Sequence, residues 1–335
     1  MRKWAFIIHP RDREDMKKLN GYIPRFVFRQ VVKRMGPRIV SHVTSEKSEG
    51  WLVGCFLFPD QFYKLPLNFV RKKILDSVLF AKQLGAKVIG LGELISPFTS
   101  GGRWLTRKVP DVLITNGNSL TASVVVEETE RIFRLINSKS GEIWIAVVGA
   151  TGSIGSAVSR MLKEKNLLLV ARNVQRLEKL RSLILPNNNR VVISNDIKDI
   201  KIADLVIVLT SAAETIIKPE YLKPGSIVYD ITQPSNLSPE ITKEKDVVIV
   251  KGGLMRKIGL ELKFDMRIPE ETAFACLVET IVLAEKYDSQ LFSQSELVGQ
   301  VKTGVARRLL VLAKKSGFEV NNFNLVEDPK LLLKK

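Results

Sequence analysis

Two places in the sequence carry residues whose type and spacing could do chemistry. The first is Gly149-Ala150-Thr151-Gly152-Ser153-Ile154-Gly155, with glycines at relative positions 1, 4 and 7. It follows the apolar run Ile143 to Val148 and precedes a helical stretch. A strand-to-helix turn without Cβ atoms lets backbone approach a pyrophosphate. The helix start then offers N–H groups and a partial positive charge. A second strand, Leu167 to Ala171, follows at the spacing that a dinucleotide site needs. At its end an NAD site would carry Asp or Glu for the ribose hydroxyl. Here stand Arg172 and Asn173, then Arg176. A carboxylate would repel a 2′-phosphate, whereas a guanidinium grips one in two-pronged fashion. The expected cofactor is therefore NADPH. Thr210, Ser211 and Ala212, and the loop from Asp230 to Pro234, follow further strands. Both loops should line the nicotinamide end, because open α/β sheets bind ligands beyond the carboxyl ends of their strands.

The second place is Cys276, in Thr272-Ala273-Phe274-Ala275-Cys276-Leu277-Val278-Glu279-Thr280. A cysteine on an apolar helical stretch is ordinarily structural. A helix over Glu270 to Glu285 sets Cys276 in its interior, with Glu270, Glu271 and Glu279 close in sequence. Those carboxylates would raise the thiol pKa, and only a helix N-terminus would lower it. Glu279, three residues on, shares the helix face and could accept the thiol proton. The other cysteine, Cys55, reads as core in the half-buried strand Val53-Gly54-Cys55-Phe56-Leu57. Only two histidines are present, His9 and His42, without metal-ligand spacing, so no metal is expected. No Gly-x-Ser-x-Gly elbow supports a serine nucleophile.

Elements able to position these residues are legible around them. At 335 residues the chain is long enough for two cores. It opens with a strand from Trp4 to Ile8, then a basic amphipathic stretch around Tyr22 to Met35. A hairpin follows, from Arg38 to Thr44 and Trp51 to Phe58, around turn-forming residues 45–50. A helix spans Pro66 to Leu84 with 3.6-residue apolar spacing, stopped by Gly85. A strand from Lys87 to Leu91, a loop from Ser96 to Gly102, a strand from Val112 to Thr115 and a helix from Ser119 to Ile136 complete this part. Ser138 to Gly141 reads as a hinge. Beyond it strands and helices alternate, and the first four strands are apolar on both faces, as parallel strands covered by helices should be. The expectation is an α/β chain with three parts. An α/β substrate domain (1–138) precedes a Rossmann-type doubly wound parallel sheet (139–255). C-terminal helices (256–335), over Glu270 to Glu285 and roughly Ser295 to Lys315, pack back and carry Cys276. The tail from Glu327 reads as mobile.

Composition sets limits. With 45% apolar residues the chain is not a disordered one. No run approaches the length of a membrane-spanning helix, the apolar start is too short for a secretory signal, and two cysteines make no disulfide framework. A cytoplasmic, reduced protein is expected. The net charge is +17, and residues 1–40 hold eleven basic residues against three acidic ones. Such a field gathers anionic partners. Base-reading or base-stacking motifs are absent, so nucleic acid is not the expected partner, although a non-catalytic NADPH-binding or nucleic-acid-associated protein stays a third reading.

Several segments, in order over about residues 50–285, resemble the long-chain acyl-[acyl-carrier-protein] reductase family, in a sibling branch outside the cyanobacteria. They are Gly54-Cys55-Phe56-Leu57, Pro97-Phe98-Thr99-Ser100-Gly101-Gly102, Thr115-Asn116-Gly117-Asn118-Ser119-Leu120-Thr121-Ala122, the Gly149 turn, Val170-Ala171-Arg172-Asn173 and Ala275-Cys276-Leu277-Val278-Glu279. The resemblance implies that Cys276 takes an acyl group from the carrier protein and that NADPH reduces the enzyme thioester to a fatty aldehyde. Two segments depart from the family pattern, Gly90 to Pro97 and Asp230 to Asn236, so the donor is either an acidic acyl carrier protein or acyl-coenzyme A. The chemistry is sound, since exchange of thioesters is nearly isoenergetic and sulfur leaves readily. Hydride attack would create an oxyanion needing donors; Asn118, Ser119 and Thr121 are candidates, with Thr99 and Ser100 beside them in the implied substrate site. Phe26, Phe28, Phe56, Phe58, Phe62 and Phe69 are candidates to line an acyl tunnel. The alternative is a shikimate-dehydrogenase-like enzyme acting on a small hydroxy acid, which would need a Lys–Asp pair at its cleft.

Overall fold

The computed structural model describes residues 2–20, 25–44, 47–136, 142–185, 190–211, 216–233, 235–243, 246–321 and 324–325. The hinge at Ser138–Gly141, the tail from Glu327, residues Tyr22, Ala212 and Pro234, and part of the 45–50 turn lie outside them. The chain forms two compact units. One comprises Met1–Leu120, Met255–Gln300 and Arg308–Glu319; the other Thr121–Leu254, Val301–Arg307 and Val320–Lys335. Both are α/β.

The first unit is built on a five-stranded sheet. Its strands are β1 (Arg2–Ile8), β2 (Arg38–Thr44), β3 (Ser48–Gly54), β4 (Val88–Leu91) and β5 (Leu113–Thr115), in the order β2-β3-β1-β4-β5. All neighbours run parallel except the β2–β3 hairpin. Strand β1 is central because four of its residues, Trp4 to Ile7, are wholly buried, as a strand covered on both faces must be. Between β1 and β2 lie α1 (Arg13–Asn20) and the basic α2 (Arg25–Arg34). Between β3 and β4 lie α3 (Pro59–Lys64) and α4 (Leu67–Gln83), the latter ended by Gly85 at φ +91°. The long helix and the pairing of the hairpin agree with the sequence, but β3 starts at Ser48, inside the expected 45–50 turn, and ends at Gly54 rather than Phe58. Cys55 thus lies just past the strand, fully buried in the core. The expected loop from Ser96 to Gly102 opens on a short helix, α5 (Ile95–Phe98), and a second, α6 (Arg103–Thr106), follows directly after it.

Between the sheets in sequence runs α7 (Asn118–Ile136), which belongs to the first unit up to Leu120 and to the second from Thr121. The second unit carries β6 (Trp144–Val148), β7 (Asn166–Val170), β8 (Val191–Ser194), β9 (Leu205–Val208), β10 (Ile227–Asp230) and β11 (Val248–Lys251). Their spatial order, β8-β7-β6-β9-β10-β11, is the 3-2-1-4-5-6 order of a dinucleotide-binding sheet, extended by the antiparallel Asn324–Leu325. Strands β6, β7 and β9 are buried on both faces as expected. Strand β8 is not, since it sits at the edge and exposes Val192. After the Gly149 turn comes α8 (Ser153–Met161), and after β7 comes α9 (Val174–Ile184). The later crossovers are 3-10 turns rather than full helices.

The C-terminal region departs from the predicted helix over Glu270 to Glu285. Arg267 and Glu271 have left-handed φ values of +58° and +57°, which no helix interior accepts. Thr272–Phe274 is extended, and helix α10 begins only at Ala275, ending at Glu285. Nearly every residue of α10 is buried, which suits a helix apolar all round. It packs back on β1, β3 and β4 of the first unit. The further helix is also broken, into Gln294–Leu297 and Thr303–Lys315, with Gly299 at φ +78° between them. Among the described residues no helix is long and apolar enough to cross a membrane.

Candidate active site

In the second unit the glycine turn has the geometry its sequence requires. Gly149 adopts φ +85°, and a Cβ there would lie 2.8 Å from the Leu209 carbonyl oxygen. A Cβ on Gly155 would fall 2.2 Å from the Gly149 carbonyl oxygen, so the first turn of α8 presses against the loop. Gly152 is the helix N-cap and supplies no side chain to it. Thr151, Ser153 and Ile154 are half-buried around this turn, with Gly152 exposed. A backbone cradle opening on a helix N-terminus without a capping side chain fits the pyrophosphate of a dinucleotide.

The residues after β7 divide in role. Arg172 and Arg176 are exposed. Asn173 is the N-cap of α9, and its side chain accepts from the Arg176 N–H at 2.9 Å. Its carbonyl oxygen is thus committed to the helix, a use that the sequence reading overlooked. Thr210 is half-buried and Ser211 exposed at the end of β9. Asp230 is fully buried and braces its own loop. It accepts from the Thr232 N–H and hydroxyl at 2.9 and 2.6 Å, from the Ser235 hydroxyl at 2.6 Å, and from Lys251 Nζ at 2.9 Å. Beside it a buried pair went unread: Tyr229 donates to Glu128 on α7, which also accepts from the Gly253 N–H at 2.9 Å. Burial pushes Glu128 up to about 7 against those donors. The signal was available, because Glu128 falls on the apolar face of α7 defined by Val125 and Ile132.

In the first unit the carboxyl edge of the parallel strands gathers the other candidates. Helix α10 starts there, with Phe274 as N-cap and Cys276 second in the helix. This is the helix N-terminal position that favours a thiolate, where a helix from Glu270 would have set the cysteine in its interior. Gly117, at φ +69° just beyond β5, touches the cysteine: a Cβ on it would lie 2.3 Å from Cys276 Cβ and 2.7 Å from Cys276 Cα. Asn116 and Asn118 hold that loop. Asn116 donates to the carbonyls of Gly101 and Gly299 at 3.2 and 3.0 Å, and accepts from the Asn118 N–H at 3.0 Å.

Glu279 is wholly buried under the same loop. One carboxylate oxygen accepts from the Thr115 hydroxyl, the other from the Leu120 N–H at 2.7 Å. Burial raises its pKa to about 7, while Thr115 and the N–H groups of Leu120, Ser119 and Gly117 oppose the rise. Glu279 therefore caps the start of α7, and both of its oxygens are in use. Cys276 is half-buried, and its thiol is pushed up to about 12 by burial, then by the Glu93 and Glu279 carboxylates; the backbone N–H groups of Leu277 and Cys276 act the other way.

The remaining substrate candidates are less open than the sequence suggested. Ser119 is buried at the α7 start and Asn118 half-buried; Thr121, also buried, falls in the second unit. Thr99 turns its hydroxyl into its own turn, toward the carbonyls of Ile95 and Ser96 at 2.9 and 3.0 Å, so it offers no donor to a substrate. Ser100 is exposed at φ +56°.

An open cavity of about 460 Å³ lies at this edge, with a largely apolar wall that includes Met16, Val40, Phe56, Phe264, Met266 and Phe274. Of the five phenylalanines proposed for a tunnel whose side chains are described, Phe56 alone lines it. Phe28, Phe58 and Phe62 are core, Phe69 packs on the core, and the Phe26 side chain lies outside the described residues. His9 and Glu93, neither given a role from sequence, also line the cavity. His9 is fully buried directly after β1, and its Nε2 stands 2.9 Å from Glu93 Oε2. The ring N–H does not point along that line, so the contact is ionic rather than a formed hydrogen bond. Burial is the largest influence and pushes His9 down, but the Glu93 carboxylate, the Pro10 carbonyl and the Asp15 charge together outweigh it, and the net pKa is raised. The position of His9 after an apolar strand was the signal that could have marked it. The basic surplus of residues 1–40 is partly consumed in ion pairs: Arg2 with Asp288, Arg11 with Asp15 and Arg29 with Asp60.

Comparison with known proteins gives three kinds of likeness. The family model for shikimate / quinate 5-dehydrogenase matches residues 127–251. The chain is 28% identical over 274 residues to the long-chain acyl-[acyl-carrier-protein] reductase of Synechococcus elongatus, covering 74% of this chain and 77% of that protein. It is 29% identical over 219 residues to the aminotransferase PigE of a Serratia strain, covering 62% of this chain but only 25% of that protein. Among solved structures, a shikimate dehydrogenase in complex with NADP+ is similar at TM-score 0.40 and 13% identity, over 93% of this chain and 95% of that one. The quinate dehydrogenase from Corynebacterium glutamicum in complex with NAD gives TM-score 0.37 and 13% identity, over 92% and 98%. The glycine turn, the strand order, the family match and the likeness to the acyl reductase agree on one class, an NAD(P)-dependent oxidoreductase, distantly related to the acyl reductase.

Proposed function

We propose that the chain reduces an acyl thioester to the aldehyde, using NADPH and a thioester on Cys276. The observation that carries this reading is the placement of Cys276, second in α10, pressed on Gly117 and two residues past the N-cap Phe274, which lines an apolar cavity. The relative from Synechococcus elongatus, a long-chain acyl-[acyl-carrier-protein] reductase, supports the same substrate class; the donor is an acyl carrier protein or, as the alternative, acyl-coenzyme A.

The turn from Gly149 to Gly155 would hold the pyrophosphate, and Arg172 with Arg176 the 2′-phosphate. Bound there, the nicotinamide supplies a hydride. The chain's own residues do the rest. Cys276 Sγ attacks the acyl carbonyl and the donor thiol leaves, a nearly isoenergetic exchange. Helix α10 aims its positive end at the developing thiolate. Glu279 fixes the Gly117–Ser119 loop against the cysteine by holding the N–H of Leu120. The cavity wall receives the acyl chain, each buried CH₂ contributing about 0.8 kcal/mol. Cys276 leaves as thiolate when the aldehyde forms, so the chemistry requires a reducing compartment.

Cys276→Ala should keep NADPH binding, form no acyl adduct detectable by intact mass after mixing with acyl donors, and release no aldehyde. Aldehyde from that variant would overturn the reading. A hydroxy-acid dehydrogenase is the second reading, favoured by the family match to residues 127–251 and by the Lys251–Asp230 pair. Reduction of NADP by shikimate or quinate would establish it.

A further inference from the structure

We propose that Glu93, oriented by His9, is the base that carries the Cys276 proton during acyl transfer; this rests on the thioester reading above and assigns a step which that reading leaves open. The topology singles out the place. Strands β1 and β4 are adjacent and parallel, with Ile7 opposite Leu91, while the connections leaving them run to opposite sides of the sheet. Such a reversal opens a crevice beyond the carboxyl ends of the two strands, where ligands bind in open α/β sheets. His9 and Glu93 are each two residues past that last pair, one on either lip. Helix α10 lies on both strands, so close to β4 that a Cβ on Gly90 would stand 1.9 Å from Thr280 Oγ1, one turn from Cys276.

Glu93 is held at φ +40°, a backbone conformation that ordinarily selects glycine. A non-glycine residue kept there against its backbone preference invites a functional explanation. Its side chain is 26% exposed, open enough to exchange protons, yet its charge is felt at the Cys276 thiol. The neighbouring carboxylates are more fully engaged: Glu279 has both oxygens committed, and Asp15 on the cavity wall has both set against Arg11, with Arg267 at 3.0 Å, whereas the contact with His9 engages one oxygen of Glu93, Oε2. His9 donates from Nδ1 to the Pro10 carbonyl at 3.1 Å, which fixes its ring beside the Glu93 carboxylate.

The step balances without a further reactant. As Sγ attacks, the S–H bond breaks and its proton passes to Glu93. The Sγ–C bond forms, the carbon–sulfur bond of the donor breaks, and Glu93 returns the proton to the departing donor sulfur. No electrons are exchanged.

Two rates on the full chain test this, both without nucleotide: acylation of Cys276 by palmitoyl-coenzyme A, read by intact mass, and alkylation of Cys276 by iodoacetamide. In Glu93→Gln, acylation should slow by about 100-fold or more, the usual worth of a positioned base. Alkylation should hold or quicken, because a neighbouring negative charge has been removed from the thiol. Glu93→Gly, which suits the positive φ, should show the same split in a chain at least as stable. Equal or faster acylation in both variants would reduce Glu93 to a charge that merely raises the thiol, and would overturn the proposal while leaving the thioester reading intact. Wild-type protein that gains no more mass than Cys276→Ala would remove the reading itself, and this inference with it.

Discussion

Replacing Gly117 by alanine tests the contact that defines the candidate site. The added methyl would stand 2.3 Å from Cys276 Cβ and 2.7 Å from Cys276 Cα, and the latter belongs to the backbone of a buried helix that cannot swing aside. The residue also sits at φ +69°, where a side chain costs about 1–2 kcal/mol. Overpacking a tight contact adds about 1–3 kcal/mol. The sum is roughly 2–5 kcal/mol against the first unit, read as a lower urea midpoint. Relief is possible only if the loop lifts, which draws the N–H groups of Ser119 and Leu120 away from Glu279. Acylation of Cys276 should therefore fall more than stability alone explains. Gly36→Ala is the control, since nothing lies within 4 Å of its Cβ position, and it should stay within about 0.5 kcal/mol of wild type. If Gly117→Ala unfolded at the wild-type midpoint and acylated at the wild-type rate, the loop would not be pressed on the cysteine and the site as described would be wrong.

Two further expectations follow from the second unit. Glu128 is raised from 4.5 to about 7, so its protonated form suits the folded chain better than the ionised one. That contribution, about 3 kcal/mol, is complete below pH about 4.5 and is lost as pH rises toward 7. Urea midpoints at pH 5 and 7 should differ less in Glu128→Gln than in wild type, and equal differences would refute the assignment. Arg172→Ala should weaken NADPH binding by about 10–100-fold and leave NADH binding little changed, as loss of a charge-assisted phosphate contact requires. Titration by nucleotide fluorescence distinguishes the two, and a parallel loss for both nucleotides would show that Arg172 does not read the phosphate.

Much of the second unit was written locally. A buried parallel strand, a glycine turn and a helix are all short-range features, and their spacing along the chain sets the strand pairing that follows. Hence the Gly149 turn, β6, β7 and β9 were legible, and so was the hairpin of β2 and β3. The start of α10 was not. Apolar and carboxylate residues from Glu270 onward look helical, but left-handed backbone at Arg267 and Glu271 reflects how that segment is held, a tertiary matter. One consequence moved Cys276 from a helix interior to a helix N-terminus.

The sequence by itself determined that a dinucleotide turn and one cysteine on an apolar segment are the places where chemistry resides. Only the tertiary structure decided what surrounds the cysteine. Gly117, Glu93 and His9 lie 159, 183 and 267 positions from it along the chain. Gly117 touches the cysteine, and Glu93 and His9 share its edge, because β1, β4 and β5 are parallel neighbours that end where α10 begins. Contacts set by strand order carry no local pattern, so the role of Glu279 as cap and the pairing of Glu93 with His9 appeared only once the sheet was assembled.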